Sequence, residues 1–291
     1  SAASDVYKRQ EEILRVQGHP LIEVLMPAEV VASGGFLGNF RSRVRLAGGE
    51  EKEVEHGVTI IATGGREFRG DGQGAALELP LPGEDPRVIT QRDLEEALYR
   101  GEPALRDLRS VVMVQCVVPQ DPEGRDTSRS YYCSRVCCTQ AVRNARMLKE
   151  RNPQVQVHIL YRDIRTYGFW EEEYTRARQA GVLFVHFDEE RPPHVERQDG
   201  RLQVTLTEPN LNEPLVLSPD LLVLSTAMLP QPDYARVAEI FKLACSGEGF
   251  FMEKHVKLNP VEFASEGIYL CGIAHYPKFA PEAIVQAQAA A

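Results

Sequence analysis

Four cysteines form the one pattern in this chain that demands a chemical role. Cys116 closes the run VVMVQC, and Cys133, Cys137 and Cys138 follow in YYCSRVCCTQ, a spacing of C-x16-C-x3-C-C. Thiolate sulfur is a nucleophile, a redox centre and a soft metal ligand. Thiols gathered where a strand ends and a helix begins therefore admit four readings. An iron–sulfur cluster takes four cysteine thiolates. Zinc also takes four, but structural zinc prefers two separated cysteine pairs, and adjacent cysteines crowd a single tetrahedral ion. A redox disulfide could join Cys133 to Cys137 or reach across to Cys116. Small buried cysteines in a packed turn would need no chemistry at all.

The elements around these residues set where the thiols go. VVMVQC (111–116) is a continuous apolar run, as expected of a strand buried on both faces of a parallel sheet. After the polar loop DPEGRDTSRS, the run SRVCCTQAVRNARMLKERNP reads as a helix with Val136, Ala141, Ala145 and Leu148 on one face, stopped by Asn152-Pro153. The helix is expected to open on Cys133, with Cys133 and Cys137 one turn apart on one face and Cys138 about 100° further round. Its N-terminal dipole favours thiolates and an anionic cluster alike. VQVHILYRD (155–163), VLFVHF (182–187) and LLVLSTAM (221–228) read as further strands, WEEEYTRARQAG as a second helix closed by Gly181, and RLQVTLTE with EPLVLS as a hairpin.

That order is the plan of a dinucleotide-binding fold, whose first strand normally runs into a glycine-rich turn that grips a diphosphate. Here no G-x-G-x-x-G follows, and Gly124 is the only glycine of the connecting loop. A metal site is expected to replace the phosphate site.

On either side lies a second, split domain. LIEVLM, AEVVAS and NFRSRVRL read as short strands with turns at Gly34-Gly35 and Gly48-Gly49, and GVTIIATGG (57–65) as an apolar strand. GIYLCGIAHYPKFAPEAIVQAQ (267–288) reads as strand, loop and helix completing the same sheet. The expected domains are thus 11–66 with 251–291, a connector at 67–108, an inserted domain at 109–230 and a return linker at 231–250. Within the connector, TQRDLEEALYRG reads as a helix opened by Thr90 or Gln91 and closed by Gly101. Residues 1–10 read as a non-native or disordered tail, and the chain stops inside the alanine-rich AIVQAQAAA, so both ends read as incomplete.

The formal net charge of −9 leaves no basic stripe for nucleic acid. No apolar stretch approaches membrane-spanning length, and no signal peptide is visible. Clustered cysteines in a chain of 291 residues suit a reducing cytoplasm rather than a secreted disulfide scaffold.

The runs VVMVQCV, YYCSRVCCTQAVRNA, ILYRDIRTYGFWEEEYTRARQAGVLFVHFDEE, LLVLSTAMLP and GFFMEKHVKLNPVEFASEGIYLCGIAHYPKFAPEAIVQAQAAA resemble the A-type subunit of heterodisulfide reductase, and are similar to flavoproteins of quinone-interacting oxidoreductases. The C-x3-C-C and YRDIRTYG motifs are specific to that group. The resemblance implies an α/β fold like thioredoxin reductase: two Rossmann-like domains, the second inserted into a split, N-terminally truncated FAD domain. It implies FAD, and a [4Fe–4S] cluster on Cys116, Cys133, Cys137 and Cys138, with a longer loop after Cys116 than the family usually has. Ala62, Thr63 and Gly64 resemble a short motif beside FAD. Cys271, Gly272 and Ile273 end a strand near the flavin, and the helix beginning at Pro281 and Glu282 points at its pyrimidine edge. Ile273 stands where broader flavoproteins carry an acidic residue, so Lys278 is the candidate charge, with His275 nearby.

Asp163 is expected to pair with Arg162 or Arg165, and Tyr161, Arg162, Arg165 and Tyr167 to surround the cluster. No G-x-G-x-x-G for the ADP half of FAD and no ferredoxin-like cysteine sets are present, so the chain reads as a fragment holding the isoalloxazine side. The function implied is electron transfer between FAD and the cluster within a heterodisulfide-reductase-like complex. The implied partners are its other subunits and ferredoxin or hydrogenase-type electron carriers, and a homodimer is also open to it. The competing readings are an NAD(P)H-dependent disulfide reductase with a Cys133/Cys137 pair, and a zinc-stapled interaction subunit.

Overall fold

The computed structural model describes residues 2–70, 74–119, 132–208 and 212–291, so the loop DPEGRDTSRS lies outside the described residues. The chain divides into two compact units, Ser1–Gly65 with Pro230–Ala291, and Arg66–Leu229.

The first unit opens with helix α1 (Ala2–Gln17), where the sequence suggested a patternless tail. Strands β1 (Ala28–Phe36), β2 (Asn39–Leu46) and β3 (Glu51–His56) form an antiparallel meander. Along β2, Phe40, Ser42 and Val44 turn inward, while Arg41, Arg43 and Arg45 face glutamates of β3 on the exposed side. Gly35 sits at φ +107, and a Cβ there would lie 2.2 Å from the Asn39 carbonyl oxygen. The expected strand LIEVLM does not form. It carries no regular structure, and Leu21 and Met26 are largely exposed. Pro27 follows it, which lacks an amide donor and restricts the residue before it.

Strand β4 (Thr59–Ile61) then leads into the second unit. That unit contains β5 (Arg66–Glu67), β6 (Val88–Thr90), α2 (Gln91–Arg100), β7 (Ser110–Val117), α3 (Cys137–Arg151), β8 (Gln156–Tyr161), α4 (Glu171–Gln179), β9 (Leu183–His186), β10 (His194–Gln198), β11 (Arg201–Glu208), β12 (Glu213–Leu217), β13 (Leu221–Thr226) and β14 (Met228–Leu229). Five of these strands form one parallel sheet in the order β6-β13-β7-β8-β9.

Alternation along the buried strands sorts its two faces. Val112, Val114, Leu222 and Leu224 pack against Val195, Leu202, Val204 and Leu206 of the antiparallel sheet β10-β11-β12. Val111, Met113, Val157 and Val223 pack against Leu94, Leu98, Ala141, Ala145 and Leu148 of the helices. The result is three layers around a parallel sheet, the α/β plan expected. Residues 67–108 are more than a connector. They supply β5, which pairs with β14, a sheet strand in β6, and helix α2. Strand β10 is too polar to stand out in the sequence: HVERQ buries only Val195.

Thr90 caps α2 as expected. Its hydroxyl accepts from the Asp93 amide at 3.2 Å, Asp93 accepts from the Thr90 amide at 3.0 Å, and Gly101 closes the helix in a left-handed conformation. Asn144 of α3 donates to both the backbone and the side-chain oxygen of Gln91 at 2.9 Å, fixing α3 against α2.

The chain returns to the first unit through α5 (Tyr234–Phe241), β15 (Ile268–Leu270) and α6 (Ala280–Ala290). Strand β15 pairs in parallel with β4, Leu270 opposite Ile61, so Ala62–Gly64 and Cys271–Gly272 leave neighbouring strand ends. Among the described residues no helix is long and apolar enough to cross a membrane.

Leu148 anchors α3 from a fully buried position, so Leu148→Ala is expected to cost about 2–5 kcal/mol. Thr90→Ala is expected to cost about 1 kcal/mol through loss of the cap. Chemical denaturation midpoints should show the larger fall for Leu148→Ala.

Candidate functional site

The pairing of β7 with β13 slips by one residue at the cysteine. Val114 lies opposite Leu224, but Val117 lies opposite Thr226, so Gln115 and Cys116 share Ser225 as their partner. This is a β-bulge, a device that re-aims a side chain. Cys116 takes φ +61, a left-handed conformation that is unusual without glycine. It costs on the order of 1–3 kcal/mol.

Cys133 does not sit on the helix as expected. Helix α3 begins at Cys137, and Arg135 at φ +65 breaks the path before it. The Arg135 amide instead donates to Cys133 Sγ at 3.3 Å. The segment ahead of the helix is tied to β14: Met228 N donates to Ser134 Oγ at 3.0 Å, and the Tyr132 hydroxyl donates to the Met228 carbonyl. The N-cap residue of α3, Val136, makes no side-chain capping hydrogen bond, and the dipole end of the helix favours an anionic neighbour.

These devices bring Cys116, Cys133, Cys137 and Cys138 onto the wall of one cavity of about 370 Å³, with Arg162, Arg165 and Ser225. Burial pushes the Cys116 thiol up to about 11, aided by Cys138 and Cys133 and opposed by Arg162 and Arg165. A hydrogen bond from Cys137 brings Cys138 down to about 7, and the same bond, with burial, pushes Cys137 well up. Among the described residues, no three His, Cys, Asp or Glu side chains stand close enough to share one metal ion.

Asp163 pairs with Arg165 at 2.7 Å, as anticipated, and Arg162 pairs with Glu189. Tyr167 accepts the Arg135 guanidinium over its ring, 5.3 Å from the centroid. Tyr161 instead packs edge-on against Phe184 and His186, and it does not line the cavity.

The first unit has its own cavity, of about 560 Å³, beside the start of α6. Lys278, expected at a cofactor edge, is buried and lines it with His275, Pro281 and Glu282. His275 Nε2 lies 2.7 Å from Glu253, while Gln286 Nε2 and Lys278 Nζ stand 2.8 and 3.3 Å from its Nδ1. Lys278 also sits 4.1 Å above the Tyr276 ring. Glu282 caps α6 by accepting from the Phe279 amide at 2.8 Å. Gly64 (φ +74) and Gly272 (φ +73) both adopt left-handed conformations, and a Cβ at either would meet open space. The Tyr234 hydroxyl, its pKa raised to about 12 chiefly by burial, donates to the Gly64 carbonyl. Ala62 and Thr63 are exposed and Ile273 half-buried. Cys271 is buried, and Cys245 is exposed.

No family model matches the chain. It is 36% identical over 184 residues to the A-type subunit of ferredoxin:CoB-CoM heterodisulfide reductase from Methanosarcina acetivorans, covering 63% of this chain and 22% of that protein. It is 34% identical over 255 residues to the A-type iron-sulfur subunit of CoB–CoM heterodisulfide reductase from Methanocaldococcus jannaschii, covering 83% and 37%. It is 31% identical over 294 residues to a protein of Archaeoglobus profundus named as like that same A-type subunit, covering 92% and 40%. The chain thus spans well under half the length of these relatives. Among solved structures it resembles thioredoxin reductase of T. acidophilum (TM-score 0.55, 12% identity, 96% of this chain and 76% of that one) and of Lactococcus lactis (TM-score 0.53, 15% identity, 90% and 72%). Both likenesses speak to the fold.

Burial holds His275 below the ordinary imidazole value of 6.5, with Glu253 pulling the other way. Glu253→Gln should therefore lower the His275 pKa further, as read by NMR titration. Because the unfolded chain protonates first, the His275 contribution to stability should decline as pH falls through 6.5 towards the folded pKa.

Proposed function

By sequence this chain belongs to the family of heterodisulfide reductase A-type subunits, and we propose that it is an electron-transferring part of such a protein. In this reading Cys116, Cys133, Cys137 and Cys138 hold a [4Fe–4S] cluster, and the first unit holds the ring end of FAD. The observation that carries the reading is the convergence of all four thiols on one cavity in the place where a dinucleotide-binding fold keeps its phosphate site.

The donor set fits the cluster. A single tetrahedral zinc needs all its thiolates about 2.3 Å from one point, where the adjacent Cys137 and Cys138 would crowd. A cluster spreads its ligands over separate irons. Burial and neighbouring sulfur push the Cys116 thiol up, and a cationic iron core would offset both. Arg162 and Arg165 line the cavity together with their partners Glu189 and Asp163. Tyr132 and Ser134 pin the Cys133 segment to β14, so the ligand frame is organised before it is loaded.

In the first unit, the open backbone at Gly64 and Gly272 leaves room for close approach of a planar ligand. Lys278 and the N-terminal end of α6 place positive charge beside the cavity, which favours an anionic reduced ring. His275 has an acceptor, Glu253, at Nε2 and donors facing Nδ1, which suits a neutral ring that orients Lys278. When bound, FAD exchanges electrons in pairs or singly and a cluster exchanges them singly, so the two together convert one regime into the other. The names of the relatives place them with ferredoxin and heterodisulfide substrates; the partners proposed here are the other subunits of such a complex and a ferredoxin-type carrier.

Iron and acid-labile sulfide analysis of the anaerobically loaded chain should give about four of each per chain with a brown chromophore. Cys137→Ala should lose both, while Cys245→Ala should keep them. Stoichiometric zinc, or a Cys133/Cys137 pair reduced by a nicotinamide nucleotide, would overturn the proposal.

A further inference from the structure

We propose that Ser225 donates a hydrogen bond to a sulfur of the cluster held by Cys116, Cys133, Cys137 and Cys138, and thereby raises its reduction potential. The inference rests on the cluster reading above. Ser225 is 1% exposed, its hydroxyl has no hydrogen-bond partner among the described residues, and the residue is one of those that line the cysteine cavity. Buried hydroxyls are nearly always paired in native proteins.

The other hydroxyls of the residues lining the cavity are paired, Tyr132 donating to the Met228 carbonyl. Thr226 Oγ1 donates to Glu67 at 3.3 Å, and Ser134 Oγ accepts from Met228. The Gln115 amide is also buried without partners, but it is not part of the cavity wall. The bulge sets the Ser225 backbone across from Gln115 and Cys116, and Ser225 and Cys116 both line the cavity. Sulfur accepts hydrogen bonds, and a cluster gains negative charge when reduced. A donor at that sulfur therefore favours the reduced state, one of the known determinants of cluster potential. Ser225 is a tuning residue rather than a ligand, so iron content is independent of it.

The test is a redox titration of the cluster-loaded full chain, followed by electron paramagnetic resonance, with iron and sulfide measured on the same samples. Ser225→Ala should keep its iron and titrate at a more negative potential, and Ser225→Thr, which restores the hydroxyl, should return towards the wild-type value. Ser225→Gly carries the same test should the alanine variant not fold. Full iron content with an unmoved potential overturns the role of Ser225 and leaves the cluster reading standing. A wild-type chain that takes up no iron overturns both.

Discussion

The slipped pairing at Gln115–Cys116 is the constraint on which the cysteine cavity depends. In a parallel sheet buried on both faces, strict alternation would send Cys116 to the same face as Val112 and Val114. One extra residue on β7 and a left-handed φ at Cys116 end that alternation where the strand leaves the sheet. The strand end can then supply a ligand to a cavity whose other thiols come from the segment before α3 and from its first turn. The rest of the second unit holds this junction still. Asn144 locks α3 to α2, and Tyr132 and Ser134 clamp the pre-helix segment to β14.

The energetics of the cavity point in one direction. Burial and neighbouring sulfur push Cys116 and Cys137 up, and Cys138 alone comes down, by borrowing a hydrogen bond from Cys137. The site brings together buried thiols, a helix start whose N-cap residue makes no side-chain capping bond and a buried hydroxyl without a partner among the described residues. In the proposed reading, a compact inorganic centre with cationic metal and accepting sulfur would answer each of these.

Much of this was legible in the sequence because the relevant signals are local. The apolar run of β7, the capping pair Thr90 and Asp93, and the glycines after α2 and α4 declare themselves at short range. The four cysteines also declare themselves, since little besides a bound centre or a redox pair calls for that spacing. What escaped was set by longer-range pairing. Helical periodicity extended α3 back to Cys133, whereas Arg135 in a left-handed conformation and the anchoring of Ser134 to β14 stop the helix at Cys137. The Gly- and Pro-rich stretch at 67–108 looked like linker, but β5 and β6 gain their strand character only by pairing with β14 and β13. LIEVLM alternates correctly and still forms no strand, because alternation without a partner strand is not enough. Lys278 is named by the sequence as a candidate charge, but its burial among Tyr276, His275 and Gln286 is set by the fold.

The most direct measurement is a crystal structure of the anaerobically loaded chain with anomalous diffraction recorded on both sides of the iron edge. The account predicts a compact iron peak inside the cavity, within bonding distance of Sγ of Cys116, Cys133, Cys137 and Cys138 together. Iron bound elsewhere, a single ion on fewer of these thiols, or a Cys133–Cys137 disulfide with no metal would contradict it.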